Sequence, residues 1–144
     1  VWSPIAGGLL SGKFRRGEKG PKGARHTEAK ADPPIRDEEA LFDIIDVIVD
    51  IADARGIFGA QVALAWLLGR PGVTSVIIGG RNEAQFKDSL AAVSLQLTAE
   101  DLARLNEVSK PPLIYPYWHQ GQFARTRFSP ADWVLHEGNE PPAW

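Results

Sequence analysis

The sequence of 144 residues contains no cysteine and no methionine. Without cysteine the chain can form no disulfide, and it offers no thiolate for nucleophilic catalysis or metal binding. Because disulfides are rare where thiols are kept reduced, this composition favours a cytoplasmic protein. The chain opens at Val1-Trp2 without an initiating methionine, and this pair is typical of the middle of a strand. We therefore expect a piece of a longer protein, with one partial domain over residues 1–144.

Long hydrophobic runs are also missing. No stretch approaches the ~20 apolar residues that cross a membrane, because Asp46, Asp50 and Asp53 interrupt the longest candidates. The first residues have no basic segment before an apolar one, so they do not resemble a signal peptide. We expect no membrane partner.

The small net charge of −2 hides an uneven distribution. Residues 13–36 contain eight Lys/Arg and three acidic residues, and they have no hydrophobic period. Residues 14–36 are therefore interpreted as a basic loop that we expect to be mobile; it is either a solvated segment or a flap near an anionic ligand. The loop lacks aromatic residues interleaved with its cations, and the whole chain is acidic, so we expect no nucleic-acid partner.

Helical periodicity is clearest over residues 37–55, where apolar residues recur at the spacing of one helix face. Acidic residues lie at its start, and Arg55 and Gly56 provide an end signal. A shorter apolar helix is predicted over residues 60–68. Asn82, with Gln85 at the third helical position, predicts the start of another helix. Thr98 and Asp101 predict the last one in the same way.

Strand signals are fewer. Val1 to Ser3 has the character of a strand end, and residues 73–78 are β-branched and apolar, as in a strand buried on both faces. Strands alternating with helices predict a parallel sheet, and two strands alone imply a larger one. Residues 110–144 form a tail rich in proline and aromatic residues.

Glycine and cationic residues follow both predicted strands. After the second strand, Gly79-Gly80 would let backbone approach a ligand, and Arg81 adds a planar donor suited to phosphate at a helix N-terminus. After the first, Ser3, Gly7, Gly8, Ser11 and Lys13 offer hydroxyls, amides and an ammonium. Each signal is weak alone, because glycine also ends strands for turn reasons and Arg81 could pair with Asp88 or a nearby loop. Neither segment has the order of a Walker loop or of a dinucleotide fingerprint.

Two longer motifs resemble the aldo-keto reductase family. "WSPIAGGLLSGKF" and "VALAWLLGRPGVTSVIIGGRNEAQFKDSL" are similar to its C-terminal half, and the match continues through "LTAEDLARLNEVS" and "YPYW". The resemblance implies the C-terminal part of a (β/α)8 TIM barrel, from about the seventh strand onward. In such barrels phosphate is commonly held by the loops after strands 7 and 8.

The resemblance also implies NADPH as cofactor and an aldehyde or ketone as substrate. The family's pyrophosphate segment would correspond to Ser3, Ile5, Gly7, Leu9, Ser11 and Lys13. Its 2′-phosphate positions would correspond to Gly79 and Arg81, and its phosphate and adenine contacts to Gln85, Asp88 and Ser89. Ser89 departs from the family's usual asparagine, and its shorter hydroxyl would reach the adenine less well. Phe58-Gly59 replaces a frequent capping pair, so we expect a less firmly fixed helix start there.

The family's catalytic residues would lie on earlier strands, so we expect none in this chain and no reductase activity from it alone. Trp118 would either line the substrate opening or cover the barrel rim. The three histidines have no metal-ligand spacing, and we expect no metal. An alternative function is a non-catalytic, NADPH-binding regulatory subunit. Two strands without neighbours would leave open edges, so we expect the chain to self-associate. The sequence does not identify the carbonyl substrate or the parent's oligomeric state.

Overall fold

The computed structural model describes residues 1–28 and 34–112, together with Tyr115 and His119. The chain divides into two compact units, Val1–Ser109 and Lys110–Trp144. Five α-helices occupy the described part: α1 (Arg25–Glu28), α2 (Glu38–Arg55), α3 (Gly59–Leu68), α4 (Glu83–Ala91) and α5 (Ala99–Val108). Short 3₁₀ segments lie at Ala6–Ser11 and Ala92–Ser94. Among these helices, none is long and apolar enough to cross a membrane.

Helix α2 has the ends that its sequence predicts. Asp37 lies just before the helix, and its carboxylate accepts a hydrogen bond of 3.0 Å from the amide of Ala40. Arg55 stands in the last turn, and Gly56 follows with a φ of 64°, a left-handed conformation that favours glycine. The prediction for residues 37–55 is therefore confirmed, with Asp37 as the cap and not a first-turn residue.

Helix α3 begins without a side-chain cap, since Phe58 makes no capping hydrogen bond. A backbone contact lies at this end of the helix. A Cβ added at Gly59 would meet the Cα and N of Gly12 at 3.1 Å and the Cγ2 of Ile48 at 3.0 Å. Glycine at position 59 therefore allows the chain that follows Ala6–Ser11 to lie directly against the start of α3.

Helix α5 begins with the predicted capping box. The amide of Asp101 donates to the hydroxyl of Thr98 at 3.1 Å, and the amide of Thr98 donates to the carboxylate of Asp101 at 2.9 Å. Arg55 donates to the same carboxylate and to the carbonyl of Gln96, which joins the end of α2 to the start of α5. Burial raises the pKa of Asp101, but the bonds from Thr98 and the charge of Arg55 outweigh it, so this pKa lies below its usual range.

The core is formed mainly by α2, α3 and α5. Its buried cluster comprises Ile48, Ile51, Ala52, Val62, Ala63 and Leu105. Partly buried apolar residues from the first segment, including Ile5 and Leu10, pack against this cluster. The amino-terminal segment is thereby fixed to the helical core although it forms little regular structure itself.

The two predicted strands are not assigned as strands in the described residues, which corrects the sequence prediction. Residues 73–78 are not buried on both faces either, because Ile77 is 67% exposed and only Val73, Val76 and Ile78 are partly covered. The physical reason is the number of neighbours: a strand is stabilised by hydrogen bonds and side chains on both sides. In the described part, Val1 is the residue that pairs with this segment.

Helix α4 presents its apolar side outward. Phe86 and Leu90 of α4, and Val93 just after it, recur at the spacing of one helix face, and they are 41%, 46% and 70% exposed. The covered side carries Gln85 and Asp88 instead. The apolar pattern therefore correctly grouped these residues, but it did not identify the side of the helix that packs on the core.

The basic loop contains more structure than its composition predicts. The single turn α1 lies within it, and Gly20 is tightly enclosed, since an added Cβ would meet the ring of Phe14 at 2.6 Å. Residues 29–33 lie outside the described part of the chain. In the second unit, the rings of Tyr115 and His119 have centroids 6.1 Å apart; Trp118 lies outside the described residues.

Candidate functional site

The first feature of the site is a pairing between the amino terminus and residues 75–77. The terminal nitrogen of Val1 donates to the carbonyl of Ser75 at 2.7 Å, and the amide of Ile77 donates to the carbonyl of Val1 at 2.8 Å. Val1 thus bonds to Ser75 and to Ile77, the residues before and after Val76. In parallel strands a residue forms its two backbone bonds in this way, with two residues of the adjacent strand that are two positions apart. Ser3 and Gly79 therefore leave this pair at the same end, although neither segment is long enough here to count as a strand.

The chain turns sharply where it leaves Val1. The amide of Ala6 donates to the carbonyl of Ser3 at 2.9 Å, and that of Gly8 donates to the carbonyl of Ile5 at 2.9 Å. Ser3 and Ala6 have φ values of 51° and 49°, which are uncommon for residues with a side chain. Backbone held in this conformation is typical of functional sites, where surrounding contacts fix it.

The predicted site residues of this first segment have different environments. Leu9 is buried, at 4% exposure, and Ile5 packs against the core, so both could contact a ligand only through their backbone. The hydroxyl of Ser11 donates to the carbonyl of Gly8 at 2.6 Å. Lys13 is exposed and makes no ion pair within the described residues, which leaves its ammonium available to an anion.

The second segment forms a compact turn into α4. The amide of Gln85 donates to the side-chain oxygen of Asn82 at 2.9 Å, while the side chain of Gln85 accepts from the amide of Arg81 at 3.1 Å. A Cβ at Gly80 would meet the amide nitrogen of Phe86 at 2.9 Å, so this position requires glycine. Gly79 has open space around it, where a ligand could approach the backbone.

Arg81 joins this second segment to the basic loop. Its guanidinium donates to the carbonyl of Gly23 at 3.0 Å, and within the described residues it has no acidic partner. The sequence allows Arg81 to pair with Asp88 or with a nearby loop, and the structure shows the bond to the loop. A charged guanidinium bonded to a single neutral carbonyl retains donors for an anionic ligand.

Asp88 and Ser89 lie on the covered side of α4. Asp88 accepts a hydrogen bond from the side-chain amide of Gln61, which is buried on α3 at 9% exposure. Ser89 is partly covered. Asp88 therefore has a protein partner on α3. Sequence reasoning missed Gln61, although one glutamine within an otherwise apolar helix was a visible signal.

Comparisons with known proteins agree with the resemblance. The sequence model described as "Aldo/keto reductase family" matches residues 1–110. The chain is 35% identical over 112 residues to "Uncharacterized oxidoreductase YrpG" of Bacillus subtilis, an alignment covering 78% of this chain and 32% of that protein. It is 33% identical over 117 residues to "Versiconal hemiacetal acetate reductase" of Aspergillus parasiticus, covering 80% of this chain and 33% of the relative.

A third relative has a different kind of name. "Probable voltage-gated potassium channel subunit beta" of Arabidopsis thaliana is 32% identical over 118 residues, covering 77% of this chain and 35% of that protein. The chain thus spans about a third of the length of the curated relatives it matches. The matching family model describes a class of oxidoreductases, and membership implies a (β/α)8 barrel fold. The chain belongs to the aldo/keto reductase family.

Proposed function

We propose that this chain is the C-terminal part of an NADPH-dependent oxidoreductase that reduces aldehydes or ketones, and that it carries the phosphate and adenosine side of the cofactor site. The observation that most supports this function is the parallel pairing of Val1 with Ser75 and Ile77. It brings the turn after Ser3 and the turn at Gly79 to the same end of a pair of chains. Phosphate sites in parallel barrels occur at that end.

The groups present suit an anionic dinucleotide. Arg81 would hold the 2′-phosphate, with the open backbone at Gly79 beside it. The turn from Ser3 to Ser11 would offer amides to the pyrophosphate, and Lys13 would add a positive charge. When bound, NADPH supplies the hydride that reduces the carbonyl carbon.

Two of the residues proposed to contact the adenosine already have protein partners. Gln85 already accepts from the amide of Arg81, and Asp88 already accepts from Gln61. Each would have to use its remaining donors or acceptors for the adenosine. Ser89 would offer only a short hydroxyl, which reaches less far than an amide side chain.

The test is oxidation of NADPH by the complete protein in the presence of an aldehyde or ketone. We expect absorbance loss that depends on the carbonyl substrate, and no such loss with the 144-residue chain alone. Absence of activity in the complete protein, despite tight NADPH binding, would contradict the reductase function. Activity of the 144-residue chain alone would contradict the proposed division of the site.

A second candidate is a non-catalytic, NADPH-binding regulatory subunit. The name of the Arabidopsis relative, a potassium channel beta subunit, supports it. This function predicts NADPH binding without carbonyl reduction, and co-purification with another protein. The activity measurement above therefore separates the two candidates.

We also propose that the isolated chain self-associates. Trp2 is 74% exposed and Ile77 is 67% exposed. Within the described residues, the backbone of residues 75–77 is paired with that of Val1 alone. Exposed apolar edges of this kind pair with other chains. Analytical ultracentrifugation should give a mass above the monomer's 15.7 kDa; a monomer at all concentrations would contradict the proposal.

A further inference from the structure

The guanidinium of Arg16 forms ion pairs with three acidic residues on one face of α2. Its guanidinium contacts the carboxylates of Glu39, Asp43 and Asp46, the last two at 2.6 and 3.2 Å. The same guanidinium lies 5.7 Å from the ring centre of Phe42. The hydrogen bond that Arg16 donates to Asp46 is the leading cause that raises the pKa of Arg16, and Glu39 adds to it. Arg16 is thus bound to four residues of a single helix.

The other cations of this loop are different. Within the described residues, no ion pair is formed by the remaining basic residues of the segment, namely Lys13, Arg15, Lys19, Lys22, Arg25 and Arg36. Repulsion among so many like charges favours an extended, solvated loop. Arg16 is the position at which this basic segment is fixed to the helical core by charge.

In sequence, Arg16 also lies between Lys13, a predicted cofactor contact, and Gly23, which is bonded to a second one, Arg81. Lys13 precedes it by three residues, and Gly23, whose carbonyl accepts from Arg81, follows it by seven. On the amino-terminal side, Gly12 is already packed against Gly59. Fixing residue 16 therefore limits how far the chain between Gly12 and Gly23 can move away from Arg81.

We infer that Arg16 is a positioning residue for the cofactor: by binding α2 it holds the loop segment from Lys13 to Gly23 beside Arg81. This inference rests on the proposed function. Arg16 does not contact the cofactor itself. Its loss should speed cofactor release and leave the hydride-transfer step unchanged, because release depends on motion of the segment and the chemistry does not.

The experiment compares Arg16→Ala with Arg104→Ala in the complete protein. Arg104 is a matched control, since it also pairs with an acidic residue of α2, Asp50 at 3.0 Å, but lies on α5. The dissociation rate of NADPH is measured by stopped-flow, as the change in NADPH fluorescence when an excess of non-fluorescent NADP⁺ displaces it. We expect a rise of about three- to tenfold for Arg16→Ala, which is the scale of losing a small network of exposed ion pairs. Arg104→Ala should stay within twofold of the wild type.

Two further measurements separate positioning from general destabilisation. Single-turnover hydride transfer should be unchanged in Arg16→Ala, and Arg16→Lys should restore slow release in part, because a lysine lacks the planar fork that binds several carboxylates. Trypsin should cleave after Lys19 and Lys22 faster in Arg16→Ala than in Arg104→Ala. Equal release rates in the two alanine variants would overturn the inference.

A wild-type protein that does not bind NADPH would contradict the proposed function and remove this role of Arg16 with it. Trypsin cleavage then still reports whether Arg16 holds the loop, because that measurement needs no cofactor. A third outcome is possible if wild type binds NADPH: trypsin cleavage becomes faster in Arg16→Ala, but the NADPH dissociation rate does not rise. Arg16 would then anchor the loop without positioning the cofactor, and the inference would be wrong.

Discussion

Two isoleucines show how differently two regions of this chain are covered. Ile45, on α2, has no exposed surface, whereas Ile77, in the segment that pairs with Val1, is 67% exposed. Helices α2 and α5 have their caps, their buried residues and the ion pair that joins them within the described residues. The strand-like region has one pairing residue and exposed apolar side chains. The comparison teaches that α2 is locally complete, while residues 73–78 need further neighbours to become a strand.

The largest expected effect comes from truncating those two isoleucines. Ile45→Ala should lower the free energy of unfolding by about 2–5 kcal/mol, since it removes buried methyl groups and leaves a cavity. Ile77→Ala should change it by less than about 0.5 kcal/mol, because the side chain loses little buried area. Urea unfolding of both variants measures the difference. Similar losses would show that residues 73–78 are as well covered as α2.

A smaller effect is expected where the amino-terminal segment meets α3. Gly59→Ala places a methyl group within about 3 Å of the Gly12 backbone and should cost about 1–3 kcal/mol through overpacking. Gly79→Ala is the matched control, because no atom lies within 4 Å of its added Cβ. Thermal unfolding measures both; a neutral Gly59→Ala would mean that the two backbones can separate without cost.

The smallest of these effects concerns the junction of α2 and α5. Asp101→Asn should cost about 1 kcal/mol, since it weakens the capping box and removes the charge that faces Arg55. The pKa of Asp101 is lower in the folded protein than in the unfolded chain, so its contribution is fully present above the unfolded pKa of about 4. It is lost as the pH falls through the folded value.

Unfolding measured between neutral and acidic pH tests this sign. Wild type should lose more stability than Asp101→Asn as the pH decreases, and the two should converge at low pH. Parallel curves for the two proteins would show that the carboxylate does not gain its stability from Thr98 and Arg55.

The helices could be predicted from the sequence because their signals are local. Asp37, Thr98 and Gly56 act within one turn of the helix ends that they define, and the apolar face of α2 repeats within the helix itself. Strand formation at residues 73–78 depends on neighbours that the pattern cannot supply. For the same reason the sequence grouped Phe86 with Leu90, but it did not show that this side of α4 would be exposed.

The candidate site was only partly predictable. The cap at Asn82 follows from known turn chemistry, and the structure gives it the expected bond from the amide of Gln85. Gly80, which was predicted to let a ligand approach, lies instead against the backbone of Phe86. The bond from Arg81 to Gly23 joins residues far apart in sequence, and no local pattern indicates it. The cofactor contacts carried over from the family remain predictions.

The most direct test of the account is the affinity of the complete protein for NADPH and NADH, before and after Arg81→Ala. If Arg81 holds the 2′-phosphate, the variant should lose about tenfold or more in affinity for NADPH, the scale of a charge-assisted hydrogen bond to phosphate. Its affinity for NADH, which lacks that phosphate, should change little. Equal losses for both cofactors, or no loss for either, would contradict the assignment of this end of the chain pair to the cofactor.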